Sequence, residues 1–460
     1  METSQTASLL KIPKAGIKLL YRQVADILQN PLVTISNLTK KHGGIVQVRI
    51  LHKKFIVVED PDYFKYILQE QYKNFSKYDL SGLLTKFLGD GLITSNGQVW
   101  LQQRRIIQPA FHKQQLENFV VIIHNELDKL IGRLKKENTG KPIDISKQFM
   151  DLTFGIITRI LFGETADIEI KEISRIMNDL AIQAEKQITQ YIKLPLGIPS
   201  PANIRFKKVR RKFDTLLYTI IYNRKKQIDG GTVMPQDILQ MLLTSSCEKS
   251  QTAMPVKQIR DELTTLFMAG YETTSQTLGW LFYEVARNPA ISALIRAEIK
   301  TTIPGQKATF QKLNSLTYIT NVIKETMRFY PSVWLMVRKN LSNDVLGPYF
   351  LPRRSIILLS IYGMHHNETY WKNPEEFVPD RFNTASMKEQ HPYTFLPFGN
   401  GPRLCIGQPF AMMMMQIVVS RLFSSFDWKP AGDMEVKMEP HITLRPKPAI
   451  YMQLTAIPEL

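Results

Sequence analysis

The stretch Phe398-Gly-Asn-Gly-Pro-Arg-Leu-Cys-Ile-Gly407 is the most informative part of the sequence. It places Cys405 directly before an apolar segment with helical periodicity. A thiol at this position feels the positive end of the following helix, which lowers its pKa. Gly401 and Gly407 let backbone amides approach and donate to the sulfur, and the Phe398 ring can shield it from water. The stretch predicts a stabilised thiolate, and the alternative is a buried, inert cysteine in a glycine-containing turn.

The composition describes a large globular chain with excess positive charge. Its 460 residues are 44% hydrophobic and 22% charged, which excludes disordered, collagenous and small disulfide-rich proteins. A net charge of +18 favours anionic partners, namely nucleic acid, anionic lipid or acidic proteins. Two distant cysteines without a secretory signal predict a reducing, cytoplasmic compartment, with Cys247 in a surface loop. The longest apolar runs are too short to predict a transmembrane anchor.

Hydrophobic periodicity predicts a mainly α chain with a minor β component. Residues 46–51 and 55–58 alternate in the manner of a hairpin, and strand signals return over residues 333–361 and near the carboxyl end. These strands are too few for a doubly wound sheet, and no repeat divides the chain, so a single domain over residues 1–460 is predicted. Helices are predicted over residues 61–70, 97–108, 114–136, 145–162, 169–187, 203–228, 256–288, 290–300, 316–329 and 407–424.

The cysteine stretch resembles the haem-ligand loop of the cytochrome P450 monooxygenases. The resemblance extends over residues 31–450, with spaced motifs in the family's order. It implies the cytochrome P450 fold, a large helical domain plus a small β-rich region, with haem b bound through the Cys405 thiolate to iron. Thiolate ligation pushes electron density onto haem iron and favours O–O cleavage. The loop positions that match are Phe398, Gly401, Arg403, Cys405 and Gly407.

A second motif, Ala-Gly-Tyr-Glu-Thr-Thr at 269–274, lies in the middle of the longest predicted helix. Glycine costs about 1 kcal/mol relative to alanine there, and threonine competes for backbone hydrogen bonds, so the choice suggests a function. The segment is similar to the family's oxygen-activating helix. By that resemblance Ala269 and Gly270 approach the haem. Thr273 would hydrogen-bond the activated oxygen, and Glu272 would relay protons to it. Without the resemblance, a Glu-Thr pair in a helix is an ordinary surface feature.

Further matches concern the haem propionates and the scaffold. Trp100 and Arg104 are four residues apart and share a helix face, and the resemblance assigns both to a propionate. Core packing is the alternative for Trp100. Arg338 and Arg403 match the remaining propionate arginines. The family's scaffold triad, which would fix the loop that leads to the cysteine, is matched by Glu325, Arg328 and Arg381.

The resemblance implies a monooxygenase that inserts one oxygen atom from O2 into a hydrophobic small molecule, such as a fatty acid, terpenoid or steroid. No fused reductase or ferredoxin domain is expected. Electrons would come from an external donor, a ferredoxin or flavodoxin with its reductase, docking near Arg105 and Lys113. The candidate pocket residues are all apolar or aromatic: Leu83, Leu84, Phe87, Phe267, Met268 and residues 333–336.

Three alternatives stand beside the oxygenase. A haem-thiolate protein that only binds a ligand or gas has no need of the Glu272-Thr273 pair, and a peroxide-driven enzyme would be expected to lack it. Charge alone favours a nucleic-acid binder, but no recognition module accompanies the charge, so no nucleic-acid partner is expected.

The basic residues of the segment 205–212 are predicted to form a solvated helix face, with anionic lipid contact as the alternative.

Overall fold

The chain divides into two compact units, which are described separately. The computed structural model describes residues 9–15, 29–50, 53–80, 82–137, 140–163, 172–173, 175–176, 179–180, 182–183, 198–232, 237–245, 254–305, 307–383, 387–433 and 435–458. The sheet unit is Met1–Leu80 with Met327–Cys405, and the helical unit is Ser81–Thr326 with Ile406–Leu460. Cys247 and much of the predicted helix 169–187 lie outside the described residues. The Leu83 side chain and residues 184–197 lie outside them as well.

A five-stranded sheet organises the sheet unit. Its strand order is β1-β2-β8-β5-β3, and only the β2–β8 pair is parallel. The predicted hairpin is confirmed, because Ile45 pairs with Val58 and Ile50 with Lys53. A separate two-stranded ribbon joins β6 and β7. The strands are β1 (Ile45–Ile50), β2 (Lys53–Val58), β3 (Phe75–Lys77), β5 (Leu335–Asn340), β6 (Asp344–Leu346), β7 (Tyr349–Leu351) and β8 (Ile356–Ser360).

Both faces of this sheet are buried, which explains why β2 and β8 have near-continuous apolar sequences. Ile56, Val58 and Ile357 pack into one cluster, whereas Val57 and Leu358 pack into another on the opposite face. This alternation follows the two-residue period of a strand. The helices of the unit are α1 (Pro31–Lys41), α2 (Pro61–Lys65), which continues as a π-helical turn (Tyr66–Glu70), and α13 (Ile361–His365).

The helical unit is built around one long helix, α9 (Val256–Arg287). Aromatic side chains pack between α9 and the helix Ile145–Phe162, where the ring centroids of Phe154 and Phe267 are 4.7 Å apart. The carboxyl-terminal strands form a three-stranded sheet with order β4-β12-β9 and a β10-β11 ribbon. These strands are β4 (Ile143–Asp144), β9 (Phe426–Pro430), β10 (Lys437–Pro440), β11 (Leu444–Lys447) and β12 (Tyr451–Ala456).

The remaining helices confirm the mainly α prediction. The ends of the predicted helices that the structure describes fall within a few residues of the observed ones, whereas three short helices of the helical unit, Leu83–Leu88, Ile238–Thr244 and Phe310–Leu313, were not predicted. None of the helices in the described part of the chain is long and apolar enough to cross a bilayer. The remaining helices are α3 (Leu83–Leu88), α4 (Gly97–Ile107), α5 (Lys113–Glu137), α6 (Ile145–Phe162), α7 (Pro201–Asp229), α8 (Ile238–Thr244), α10 (Pro289–Thr302), α11 (Phe310–Leu313), α12 (Thr317–Phe329) and α14 (Gln408–Ser425).

Candidate active site

The loop that carries the cysteine has a defined backbone structure. The Cys405 amide donates to the Phe398 carbonyl at 3.0 Å, which closes the loop on itself. Asn400 Oδ1 accepts from the Gly401 amide at 2.7 Å and begins a single 3₁₀ turn, Gly401–Arg403. The Cys405 side chain is exposed at the end of this turn. The loop therefore presents its sulfur on a fixed backbone.

Gly401 is required by the packing of this loop within the sheet unit. Its φ of 71° lies in the left-handed region, and an added Cβ would lie 2.1 Å from the carbonyl oxygen of Leu68. Backbone atoms cannot move aside as a flexible side chain can, so any larger residue would displace the loop. This close approach is to the Leu68 carbonyl, and the approach of backbone amides to the Cys405 sulfur remains a prediction.

Two predicted propionate arginines lie close enough to influence each other electrostatically. Arg338, on β5, is 6% exposed and donates through Nη1 to the Val337 carbonyl at 3.0 Å. Burial, with a smaller effect of the Arg403 charge, lowers the pKa of Arg338 to about 10. A buried guanidinium beside a second cation is costly, and an anionic group at this place would offset the cost.

Two scaffold arginines fix the irregular segment that precedes the cysteine loop. Arg328 is fully buried and donates to the carbonyls of His365 at 2.9 Å and Glu376 at 3.1 Å. Arg381 donates to the same Glu376 carbonyl at 3.1 Å. Glu325, the third predicted member, is also fully buried. The observed bonds hold backbone carbonyls, which is a structural role.

The middle of α9 has one break in an otherwise buried surface. Every residue from 259 to 285 is buried except Met268, Ala269, Gly270 and Thr273. Ala269 and Thr273 are four residues apart and therefore share a face, and the Thr273 hydroxyl donates to the Ala269 carbonyl at 2.7 Å. The sequence motif thus coincides with the only accessible strip in this part of the helix.

Glu272 lies on a different face of the same turn and is 4% exposed. Its Oε1 accepts from the Thr443 hydroxyl at 2.7 Å and from Arg445 Nη2 at 2.6 Å and Nε at 3.2 Å. This ion pair links α9 to the start of β11. The sequence does not reveal this link to Glu272, because the two segments are about 170 residues apart and no local pattern connects them.

Gly270 has a packing role in addition to its predicted proximity to a cofactor. An added Cβ would lie 2.6 Å from Ile157 Cδ1, on α6. Immediately beside it, the Thr153 hydroxyl, also on α6, donates to the Tyr271 carbonyl at 3.0 Å. The glycine therefore allows α6 and α9 to approach closely, and a contact between Gly270 and a cofactor remains a prediction.

Trp100 and Arg104 lie on α4, as their spacing predicts. Trp100 is 5% exposed, and the Arg104 guanidinium carbon is 6.0 Å from its ring centroid. The ring therefore supports the guanidinium, which fits both the propionate prediction and the packing alternative. Phe111 lies 3.8 Å from where a Cβ of Gly407 would stand, so this glycine sits in ordinary van der Waals surroundings.

Comparison with known proteins decides the family. The family model described as "Cytochrome P450" matches residues 11–453. The chain belongs to the cytochrome P450 family. It is 28% identical over 456 residues to cyclooctatin synthase of Streptomyces melanosporofaciens, covering 97% of this chain and 94% of that protein. It is 32% identical over 380 residues to cytokinin hydroxylase of Arabidopsis thaliana, covering 81% and 72% respectively.

The fold of this cytochrome P450 matches a solved relative. The crystal structure of the cytochrome P450DA haem domain superposes with a TM-score of 0.87, covers 98% of both chains and is 21% identical in sequence. The mainly α fold predicted from the sequence is therefore confirmed. As a cytochrome P450 the protein is an oxidoreductase of the monooxygenase type, and the family in general binds haem through a cysteine thiolate.

The residues present fit a haem. The Cys405 side chain is exposed on a fixed loop, and the buried Arg338 beside Arg403 forms a site suited to a carboxylate. In the helical unit, the Arg104 guanidinium lies over the Trp100 ring and supplies a further positive charge for a propionate. Cysteine and arginine are the ligand types that a thiolate-bound iron and its propionates require.

The helical unit also contains a small apolar cavity, with room for about one water molecule. Phe267, one of the predicted pocket residues, forms part of its wall and is 2% exposed. All its lining side chains are aliphatic or aromatic: Phe162, Ile173, Phe213, Leu216, Leu217, Ile220, Leu263 and Phe267.

Proposed function

We propose that this cytochrome P450 inserts one oxygen atom from O2 into a hydrophobic small molecule, with Cys405 as the axial ligand of haem b. The observation that carries the proposal is the accessible strip of α9, where Ala269 and Thr273 interrupt a continuously buried helix. A haem with a thiolate ligand, when bound, supplies O2 activation and oxygen insertion. Arg338, Arg403, Arg104 and Trp100 would hold its propionates.

Thr273 would donate a hydrogen bond to the reacting oxygen. Its hydroxyl now donates to the Ala269 carbonyl within its own helix, and a threonine hydroxyl can rotate to serve a second acceptor without moving the backbone. Glu272 would hold the proton that Thr273 passes on. The Thr443 hydroxyl and Arg445 keep the carboxylate oriented in a buried environment, where a proton carrier has few competing acceptors.

The predicted pocket residues favour a hydrophobic substrate. They are all apolar or aromatic, and the small cavity that Phe267 lines has only aliphatic and aromatic walls, so a substrate would be held by shape and by exclusion of water. A fatty acid, terpenoid or steroid has the apolar surface that this requires. Electrons would come from an external ferredoxin or flavodoxin with its reductase. The exposed Arg105 and Lys113 supply positive charge for such an acidic protein.

The experiment that tests the function measures coupling of electrons to product. Thr273→Ala is expected to keep the haem spectrum of the wild type and to release hydrogen peroxide in place of most of the product. Thr274→Ala is the matched control, since Thr274 is the neighbouring residue but is 3% exposed. Equal coupling in wild type and Thr273→Ala would contradict the role of Thr273. A wild type that consumes no O2 with any donor but binds ligands would indicate a protein without turnover.

The substrate class is tested by optical titration of the ferric protein. A fatty acid, a terpenoid and a steroid of similar length are titrated separately, and the Soret shift is recorded. A saturable shift with one class identifies the substrate family. No shift with any of them, in a protein whose haem is thiolate-ligated, would contradict the apolar-pocket interpretation.

A further inference from the structure

The segment from Phe87 to Leu92 is attached to the first turns of α9 by polar groups. Asp261 Oδ2 accepts from the Asp90 amide at 3.0 Å, and Glu262 Oε2 accepts from the Leu92 amide at 3.0 Å. The two donors are backbone amides two residues apart, and the two acceptors are consecutive side chains of one helix. The segment is thus held by its backbone and in one register.

Two further side chains of α9 complete this attachment. Gln258 Nε2 donates to the Asp90 carbonyl at 3.1 Å and to Glu262 Oε1 at 2.8 Å. Both terminal nitrogens of Arg260 lie 3.4 Å from the Phe87 carbonyl, and Arg260 Nη1 donates to Asp261 at 2.9 Å. We call this set, Gln258, Arg260, Asp261 and Glu262, the loop clamp.

The loop clamp is buried, so each of its polar groups needs a hydrogen-bond partner. Arg260, Asp261 and Glu262 are 3%, 2% and 0% exposed. A buried charge is stable only with partners, and here the partners include backbone groups of the segment itself. Arg260 Nε also donates to Asp214, on α7, at 2.9 Å. The clamp therefore joins three elements of the helical unit.

Glycines in the segment are fitted to the clamp. An added Cβ at Gly89 would lie 2.2 Å from Asp261 Cγ, and one at Gly91 would lie 2.1 Å from Thr265 Oγ1. Gly89 also has a φ of 73°, in the left-handed region. By contrast Gly82, at the other end of α3, has a φ of 63° and open space around its Cβ direction. The contact with Asp261 is therefore specific to Gly89.

We propose that Asp261 and Glu262 are positioning residues that fix the segment Phe87–Leu92 and thereby set the affinity for the hydrophobic substrate. This inference rests on the proposed function, in which Phe87 belongs to the substrate pocket. Phe87 and Leu88 are both 2% exposed, so the clamp holds an apolar part of the segment in place. The clamp side chains face the segment's backbone. They act through its position and leave the cofactor chemistry unchanged.

The test uses the haem-loaded, full-length protein and two iron ligands. Imidazole needs only access to the iron, whereas 4-phenylimidazole also needs an ordered apolar pocket for its phenyl ring. Asp261→Asn and Glu262→Gln each remove an acceptor from the clamp. They are expected to weaken 4-phenylimidazole about tenfold and to leave imidazole unchanged, because each variant loses one hydrogen bond to a backbone amide of the segment. Amide hydrogen exchange at Asp90 and Leu92 is expected to accelerate in the same variants.

Matched variants separate the clamp from general strain. Gly89→Ala is expected to behave like Asp261→Asn, whereas Gly82→Ala introduces similar backbone strain without the collision and is expected to bind both ligands as wild type does. Asp90→Asn removes a carboxylate from an exposed side chain that pairs with Lys257 at 3.3 Å. Lys257 also lies 3.6 Å from Asp261 Oδ2, so this variant serves as the control for the charge around the lysine. If Glu262→Gln does not accumulate as folded protein, Gln258→Ala removes two donors from the half-buried end of the same clamp.

The outcomes are distinct. Faster exchange with no change in the ratio of the two affinities would overturn the proposal, because the clamp would then be structural only. Unchanged exchange at Asp90 and Leu92 would overturn it as well. Failure of the proposed function has a different signature. The wild type would then either lack the thiolate-type spectrum and any response to imidazole, or show both and consume no O2. In either case the exchange measurement would still report on the clamp.

Discussion

Two glycines in one helix give opposite expectations for the same substitution. Both Gly270 and Gly279 lie inside α9, where alanine is favoured over glycine by about 1 kcal/mol. An added Cβ at Gly279 would meet Ile450 Cδ1 at 3.8 Å, an ordinary contact, whereas one at Gly270 would meet Ile157 Cδ1 at 2.6 Å. Gly279→Ala should therefore stabilise the protein by about 1 kcal/mol.

In Gly270→Ala, overpacking should outweigh the stabilisation that alanine brings to a helix. Forcing a methyl group into a packed core costs roughly 1 to 3 kcal/mol, so the net effect is a destabilisation of about 1 kcal/mol. The two variants should thus differ by about 2 kcal/mol in the free energy of unfolding, measured by urea denaturation at equal haem occupancy. Ile157→Val deletes the colliding Cδ1 atom. In that background Gly270→Ala should be nearly neutral, a coupling of about 1 kcal/mol in a double-mutant cycle.

The result that would refute this reasoning is equal stabilisation by both alanines with no coupling to Ile157. If Gly270→Ala instead altered the haem spectrum while stability followed that of Gly279→Ala, the glycine would be required for cofactor approach and not for packing of α6 on α9. The same experiment therefore decides between the two roles of Gly270.

Three further predictions concern buried polar groups. Burial raises the pKa of Glu59 from 4.5 to about 7, so as the pH rises the unfolded state ionises first and wild type loses stability. The free energy of unfolding of Glu59→Gln should therefore rise by about 3 kcal/mol relative to wild type between pH 4.5 and pH 7, measured by denaturation across that range. A flat difference would show that Glu59 ionises normally. Arg224 donates to both Asp237 oxygens at 2.9 and 2.8 Å, so Arg224→Met should cost about 3 to 5 kcal/mol of unfolding free energy, and a loss below about 1 kcal/mol would disprove the pairing. Thr443→Val keeps the shape but removes a donor to Glu272, and should cost about 1 to 2 kcal/mol with an unchanged haem spectrum.

The sequence was sufficient for the elements whose periodicity is local. The bounds of α4, α5, α6 and α14 were predicted to within about two residues, because each is a long amphipathic or apolar helix with a clear start. Short elements were missed. α8 has only seven residues, and its N-cap Asp237, which accepts from the Gln240 amide at 2.8 Å, carries too little pattern to be recognised alone.

The candidate site shows the same division. The cysteine loop and the 269–274 motif could be found because their residues are adjacent in sequence. Arg445 and the loop clamp could not, since Glu272 meets Arg445 across about 170 positions and Asp261 meets Asp90 across a similar separation. Such contacts depend on how helices pack, and a single sequence carries no local signal for them.

The central claim is that Cys405 is the haem ligand, and the carbon monoxide spectrum of the ferrous protein tests it most directly. The chain has only one other cysteine, Cys247, so a matched pair of variants is available. Wild type and Cys247→Ser are predicted to show the long-wavelength Soret band of a thiolate-ligated haem, and Cys405→Ala is predicted to lose it. The same band in Cys405→Ala, or its loss in Cys247→Ser, would contradict the assignment.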